Sequence, residues 1–516
     1  MIRELKHSLH HKAPSRRKAT LWRVITSWTD QGTLIVIGLL LLPLYFKILG
    51  AEKYGYWLAS GGILVWIGML DMTAITGQRA SNAYGKKDLT TCVSYLWTGL
   101  AFNLLILLPV IYAGYLMGGE IPNWLSAPES LSQELTRAFQ IGVLAVAIQY
   151  FCSCSNSFLN AIQRPVAIAV ARPIAATAQI VTIFYGLYHG WGLLAIPTGL
   201  LARNLIIGAQ GVAYSCFLAF LLVPRLVVSR HVFKDYCKTG PAVMLNVLST
   251  GVGQKIQPTL ITLFLSAEAA AAYDATLRVG MLISTTTARL SLAAFPSFSH
   301  LLGSERSERV RTLLKNCYLG ILAISTLGLG GYAAFNQSFV YLWLQDAPFA
   351  GQSVTLLAAI WLLTLSIGSY IFTLYLSFGA INASMLIKTT GTVVQVLLAV
   401  VLLKFTPLGL LSLPLAALIA TLGMIGLNFH FFTLDIREQI PKLRFLAPRA
   451  LGAMTLLFLS GLAPLLWVPG TWLSFGLSAT GYTAIVGLAL LGIYHKALLS
   501  LIKNKTRTPK VMPTAP

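Results

Sequence analysis

The sequence predicts an all-α, polytopic membrane protein of about fourteen transmembrane helices, and two observations carry that prediction. Hydrophobic residues make up 56% of the 516-residue chain and charged residues only 10%, with a mean hydropathy of +0.73. Apolar stretches of about 20 residues recur along it, each followed by a short polar turn, which is the length a bilayer core of about 30 Å requires. In hydrocarbon a backbone must satisfy its own hydrogen bonds, so these stretches are read as helices. A soluble domain of this size would expose far more charge.

In chain order the spans are placed at 24–46, 56–77, 92–117, 137–162, 166–188, 193–222, 241–265, 273–299, 313–335, 353–378, 385–404, 410–433, 450–468 and 472–493. A basic tail, 1–23, precedes them. A cytoplasmic linker at 223–240 separates a six-helix half, 24–222, from a second, 241–433. A further linker, 434–449, leads to two extra helices within 450–493 and a basic tail, 494–516. With the N-terminus in the cytoplasm, thirty of the 38 Lys and Arg residues fall inside and five outside: Lys47, Lys53, Arg137, Arg278 and Lys404. That asymmetry predicts both termini in the cytoplasm and a multi-pass protein of the cytoplasmic (inner) membrane.

The net charge of +22 is therefore mainly a topology signal. Its basic residues are scattered over many short loops, which argues against nucleic acid as a partner and for anionic lipid headgroups. The N-terminal apolar stretch is too long for a cleaved signal peptide and contains Asp30. None of Cys92, Cys152, Cys154, Cys216, Cys237 and Cys317 falls in an outer loop, so no structural disulfide is expected. Cys152 and Cys154 lack further ligands nearby and read as small packing residues; no metal site is expected.

The chain repeats itself. Leu49-Gly50-Ala51-Glu52 and Leu265-Ser266-Ala267-Glu268 lie 216 residues apart, and Gly192-Leu193-Leu194-Ala195-Ile196-Pro197 and Gly409-Leu410-Leu411-Ser412-Leu413-Pro414 lie 217 apart. Ala161-Ile162-Gln163 and Ala380-Ile381-Asn382 are 219 apart. The common spacing at equivalent positions predicts two parallel six-helix repeats around a central cavity. Parallel halves are a transporter architecture with the ligand site between them near midplane. Pro43 and Pro258, 215 apart in the first helix of each half, are matched helix-bending positions. The run Gly251-Val252-Gly253-Gln254-Lys255-Ile256-Gln257-Pro258 is the most polar mid-membrane stretch and predicts a bent or locally unwound helix.

Polar side chains fall on helical stripes. Gln149, Ser153, Asn156, Asn160 and Gln163 share one face of the fourth span, and Asp274, Arg278, Thr285 and Arg289 one face of the eighth. Arg203, Gln210 and Tyr214 do so in the sixth, and Ser366, Tyr370, Thr373 and Ser377 in the tenth. Interhelical hydrogen bonding is one reading of the neutral stripes and a cavity lining the other. Deep charges cost several kcal/mol each near the midplane. Arg203, Lys255 and Arg289, with Arg278, are the candidate cationic cavity residues. Gln149, Ser153, Asn156, Asn160, Gln210, Gln254, Gln257 and Thr285 are its candidate polar lining. Asp30 and Asp71 share a depth, as a coupling-ion site or as counter-ions for the arginines. A cationic cavity suits a phosphate-bearing cargo and amide stripes suit hydroxyl-rich sugar.

Particular residues carry a family resemblance. The turn Leu49-Gly50-Ala51-Glu52-Lys53-Tyr54-Gly55-Tyr56-Trp57 leads to Leu70-Asp71, Ala272-Tyr273-Asp274-Ala275-Thr276-Leu277-Arg278 is followed by Pro296, and Tyr341-Leu342-Trp343-Leu344 lies after the ninth span. Over about residues 20–435 these resemble the polysaccharide flippases of the multidrug/oligosaccharidyl-lipid/polysaccharide exporter superfamily, although Met72-Thr73 follow Asp71 where that family usually has a glycine. The resemblance implies a transporter of lipid-linked oligosaccharide for O-antigen, capsule or exopolysaccharide. The expected partners are that cargo, membrane lipids and other glycan-assembly membrane proteins, with the chain itself a monomer.

Two other classes are weighed. A drug/cation antiporter of the same superfamily would favour an acidic or aromatic cavity, against which the deep cations argue. A membrane glycan polymerase or ligase would need a catalytic outer loop, and the longest outer connection, 118–136, offers Glu120, Glu129 and Glu134 without a His or a nucleophile arrangement. With no phosphate-binding glycine loop and no metal-ligand cluster, no enzyme activity and no cofactor are expected, only a coupling ion, H+ or Na+.

Overall fold

The computed structural model describes residues 16–505 apart from 165, 303–306, 346–347, 378–380 and 436–445, and among them the chain is helical without strands. Its long helices are α1 (Arg16–Leu64), α2 (Thr73–Gly85), α3 (Leu89–Gly118), α4 (Glu129–Ala161), α5 (Val166–Tyr188), α6 (Ala195–Leu222), α7 (Arg230–Lys255) and α8 (Gln257–Phe264). There follow α9 (Ala267–Leu302), α10 (Ser307–Leu344), α11 (Gln352–Ser377), α12 (Ile381–Phe405), α13 (Ser412–Asp435), α14 (Leu446–Gly461) and α15 (Trp472–Lys505). Ten stretches of the described residues are long and apolar enough to cross a membrane, where the sequence led us to expect fourteen. One of the ten, Gln31–Ile67, takes in most of the first expected span and about half of the second, and the segment Arg449–Leu465 is shorter. The chain is a multi-pass membrane protein. Its contacts divide it into two compact units, Met1–Ala271 and Ala272–Pro516.

In the first unit α1 departs from helical geometry at Gly50 (φ 80, ψ 165). A left-handed φ with extended ψ is open to glycine and turns the chain between the first two spans. Pro43 lies inside α1, which carries no other non-helical residue. The second expected span, 56–77, is not one helix. It passes into a 3-10 segment, Val65–Leu70, loses helical form at Asp71 and Met72, and resumes as α2. The Asp71 carboxylate accepts from the Thr73 N–H (2.9 Å) and the Ser153 hydroxyl (3.3 Å). It thereby starts α2 and ties it to α4.

Helix α6 packs on α4 and α5, α3 on α4, and α2 on α3 and α4. The α4–α6 approach is close because small residues meet large ones. A Cβ on Gly208 would stand 2.5 Å from the Cys152 sulfur, and one on Gly211 2.6 Å from the Asn156 Oδ1. Helices α7 and α8 open the second repeat in sequence, yet they pack within the first unit, α7 on α2 and α3 and α8 on α1. Arg79 pairs with Asp235 (3.1 Å), which also accepts from the Tyr95 hydroxyl (2.9 Å) and from Thr239 (3.3 Å). The neighbouring Tyr236 is fully buried, shares a hydrogen bond with Thr76 (2.7 Å) and donates to the Tyr95 carbonyl (3.1 Å). Burial pushes the Tyr236 phenol well above its ordinary value, so it remains a neutral donor.

The repeat detected in the sequence has a local structural counterpart. Gly192–Leu194 and Gly409–Leu411 are both 3-10 turns that lead into a long helix, with Gly192 at φ 57 and Gly409 at φ 53. The turns differ in their neighbours. Glu134 accepts from the Leu193 N–H (2.5 Å) and from Lys53 (3.0 Å), and a Cβ on Gly192 would lie 1.9 Å from its Oε1, while nothing lies within 4 Å of one on Gly409. Gly192→Ala should therefore lose the backbone cost of about 1–3 kcal/mol and the Glu134 bonds as well. Gly409→Ala should lose the backbone cost alone. Melting of the detergent-solubilised variants checks this, and an equal or reversed order would show that the Glu134 clasp contributes nothing.

In the second unit Thr276 is a node. Its hydroxyl accepts from the Ala350 N–H (3.0 Å), and its carbonyl accepts from Tyr332 (3.1 Å) and Asn336 (3.0 Å), joining α9 to α10. Thr287 and Ser366 (3.0 Å) join α9 to α11, and Tyr370 donates to the Leu314 carbonyl (2.6 Å). The two extra helices α14 and α15 pack on α10. Ser460 and Tyr482 meet at 3.1 Å, and the Tyr482 hydroxyl occupies the place a Cβ on Gly330 would need. Only 11% of the spanning part of α15 is buried, so most of that helix is free to face lipid.

Candidate functional site

The polar positions read from the sequence fall into two groups, one in each unit. In the first unit the α4 stripe divides. Gln149 is exposed and accepts from Asn204 (3.4 Å), a buried α6 residue that also donates to the Ala145 carbonyl (2.9 Å). Ser153 turns to Asp71 and to the Tyr150 carbonyl (2.6 Å). Half-buried Asn156 faces α6 at Gly211, its Oδ1 without a partner. Gln210, half-buried on α6, has neither amide oxygen nor nitrogen bonded. Arg203 and Asn160 are half-buried, and Gln163, at φ 61, lies just beyond the end of α4. Interhelical bonding thus accounts for Gln149 and Asn204. At Asn156 and Gln210 the polar capacity is unspent, which is costly inside a protein unless something binds it.

The polar run of the seventh expected span divides into two helices. Helix α7 ends at Lys255, Ile256 lies between, and α8 begins at Gln257 with Pro258 in its first turn. Proline tolerates a first turn because its missing N–H would be unpaired there. Gln257 is 5% exposed and Gln254 half-buried, while Lys255 is exposed. The α8 side of the break is locked onto α1. Thr259 donates to the Ala59 carbonyl (2.6 Å), and a Cβ on Gly62 would lie 2.8 Å from the Lys255 carbonyl. Lys255 stands at the end of a helix whose last carbonyls favour a cation.

In the second unit Arg278 and Asp274 form an i,i+4 ion pair on α9. Thr285 is exposed and donates to the Leu282 carbonyl (3.0 Å), and Arg289 is half-buried one turn further on. Arg278 thus carries its counter-charge beside it. The side chain of Asp30 lies outside the described residues; its backbone belongs to α1. Two cations within the fifth and eleventh expected spans, not counted among the candidate cavity residues, lie inside helices that can span. Arg172 is in α5, and Lys388 is in α12, its ammonium 4.7 Å from the centre of the Phe372 ring. Lys388 lies four residues past the start of its apolar stretch.

In the acidic connection, 118–136, two of the three glutamates hold structure. Glu134 clasps Lys53 and Leu193, and Glu120 accepts from Asn123 (3.2 Å). All six cysteines are free thiols, and the Cys154 sulfur accepts from Thr76 (3.3 Å) and Asn103 (3.1 Å), which fits a packing role. No group of three or more His, Cys, Asp or Glu gathers among the described residues. The hydrogen bonds from Thr91 hold the Asp88 carboxyl below its ordinary value at the start of α3.

Residues 127–344 match the model of a family described as polysaccharide biosynthesis protein. The fold is shared with a lipid II flippase, MurJ, in an inward closed conformation: TM-score 0.67, 14% identity, 93% of this chain and 100% of that one covered. It is shared also with the eukaryotic MATE transporter AtDTX14 (TM-score 0.60, 12% identity, 88% and 98% covered). An inward-facing multidrug resistance MATE transporter of the MOP superfamily has TM-score 0.54 and 16% identity, with 81% and 94% covered. No curated protein matches the chain by sequence. These structural matches show a shared fold of the helices.

Proposed function

We propose that this protein is a flippase that moves a lipid-linked oligosaccharide or polysaccharide precursor across the cytoplasmic membrane by alternating access. The observation that carries the reading is the match of residues 127–344 to a polysaccharide-biosynthesis family, on a fold shared over 93% of the chain with a lipid II flippase. The chemistry of the polar positions supports it. In each unit cations offer charge-assisted donors to a phosphate group: Arg203 and Lys255 in the first, Arg289 and Lys388 in the second. Asn156 and Gln210 offer amides to sugar hydroxyls, each with capacity the protein leaves unused. Arg278 serves α9 through Asp274 and is assigned a smaller part in holding cargo. The protein acts as a transporter, not an enzyme.

Reconstituted vesicles test the reading directly. The purified protein should accelerate the flipping of a fluorescent lipid-linked oligosaccharide, and protein-free vesicles should not. Efflux of a cationic dye without glycan flipping would transfer the assignment to the drug/cation exporters.

The cytoplasmic placement of both termini has its own test. Cys237 is exposed on α7, on the side assigned to the cytoplasm. An impermeant maleimide applied to intact cells should leave Cys237 unlabelled and should label it once the membrane is opened. In a Cys237→Ser background, Glu52→Cys and Glu268→Cys should label from outside. The opposite pattern inverts the topology.

A further inference from the structure

Glu52 and Glu268 come from repeat-equivalent turns 216 residues apart in sequence, and both line one cavity of about 370 Å³. Tyr56, Ser126, Thr262 and Ser266 complete its polar wall. The two turns are in backbone contact here, since a Cβ on Gly55 would fall 1.8 Å from the Ala267 carbonyl oxygen. The cavity wall contains no basic side chain. The cation next in sequence, Lys53, is held by Glu134 at 3.0 Å. Thr262 is 8% exposed, lines the cavity, and its hydroxyl has no hydrogen-bond partner. Its neighbours are occupied: Tyr56 donates to the Ser126 carbonyl (3.4 Å) and Ser266 accepts from the Ala269 N–H (3.1 Å). Two carboxylates thus share a small volume without a counter-charge, beside a buried hydroxyl with nothing to bind.

We propose that this cavity is a binding site for Ca2+, with Glu52 and Glu268 as its anionic ligands and Thr262 as a neutral one. The donor set consists of oxygen alone, from carboxylates, hydroxyls and a phenol, which selects a hard cation over zinc or copper. Calcium tolerates irregular geometry and a partly hydrated shell, whereas magnesium demands a near-ideal octahedron. The cavity is far larger than a bare ion, so waters complete the shell. Only two carboxylates contribute, which sets the affinity in the weak range of about 10⁻⁴–10⁻³ M. Bound there, the ion bridges the turn after the first span to the turn after α8. This site is separate from the cationic residues assigned to cargo and does not depend on that assignment.

Terbium luminescence reports on the site, because Tyr56 lies in its wall and can sensitise a bound lanthanide. The purified full-length chain in detergent should give saturable terbium emission under aromatic excitation that millimolar Ca2+ displaces. Glu52→Gln combined with Glu268→Gln should weaken the Ca2+-displaceable signal at least about tenfold, because ligand charge sets affinity at such sites. Thr262→Val should weaken it less. Calcium should also raise the melting temperature of the wild type and leave that of the double variant unchanged. Both carboxylates are exposed, so the double variant should keep its elution profile. Absence of Ca2+-displaceable emission from the wild type, or its persistence in a folded double variant, overturns the proposal.

Discussion

Replacing Lys255 and Arg289 together with glutamine should abolish glycan export while the protein remains inserted and abundant. Each charge-assisted hydrogen bond to a phosphate oxygen contributes roughly 1.5–3 kcal/mol. Losing such a bond at either position therefore weakens cargo binding by on the order of 10- to 10²-fold, since about 1.4 kcal/mol is a factor of ten. The local structure makes these two the informative pair. Lys255 is exposed at the end of α7, beside the break at Ile256, and its side chain is not needed to hold α8, which Thr259 fastens to Ala59. Arg289 is half-buried on the same helix as Arg278 but three turns from the Asp274 ion pair. Arg278→Gln should behave differently, because it removes the ion pair with Asp274 on α9 and should lower stability as well as export. Cell-surface glycan and protein abundance are measured together for each variant. Full export by the Lys255→Gln, Arg289→Gln protein would remove both residues from the cargo path.

The helices themselves were legible because hydropathy alone specifies where a backbone can lie in lipid. The break near Pro258 was legible as well, since a run with Gln254, Lys255 and Gln257 on all sides of the helix cannot face lipid. The break at Asp71 was not. The segment before it, Val65–Leu70, is apolar throughout and reads as helix, and the carboxylate that starts α2 reads as a buried charge. Periodicity placed Gln149, Ser153 and Asn156 on one face but could not tell what that face meets. Asn204, which answers Gln149, stands next to Arg203 but off the face shared by Arg203, Gln210 and Tyr214. Arg172 and Lys388 fell within expected spans but on no polar stripe, so periodicity did not single them out. The repeat was legible where glycine geometry preserves it, at Gly192 and Gly409, because a left-handed turn restricts the residue that can occupy it.

Asp71→Asn should remove the response of flipping to an ion gradient while preserving the fold, if this carboxylate carries the coupling proton or sodium ion. The substitution separates movement of cargo coupled to a gradient from movement drawn by withdrawal of product on the far side. Asp71 is half-buried within the second expected span, in a segment without regular helix, where backbone freed from the ladder must be satisfied by neighbours. It accepts from the Thr73 N–H and the Ser153 hydroxyl. An arriving cation or proton would compete with those donors, loosening the start of α2 from α4. That gives ion binding a mechanical consequence, a shift between two arrangements of one joint. The same contacts also serve a purely structural role, and two substitutions separate the roles. Asparagine keeps an oxygen that can accept from Thr73 and loses the charge, so a capping role alone predicts normal flipping and a normal gradient response. Alanine loses both, and should cost about 1 kcal/mol of stability in either case. Asp30→Asn, alone and combined with Asp71→Asn, tests whether the two carboxylates at one depth act together. Labelled lipid-linked sugar is followed in vesicles with and without a proton or sodium gradient. Normal flipping with an unchanged gradient response in the combined Asn variant would leave Asp71 as a helix cap and rule out both carboxylates as the coupling site.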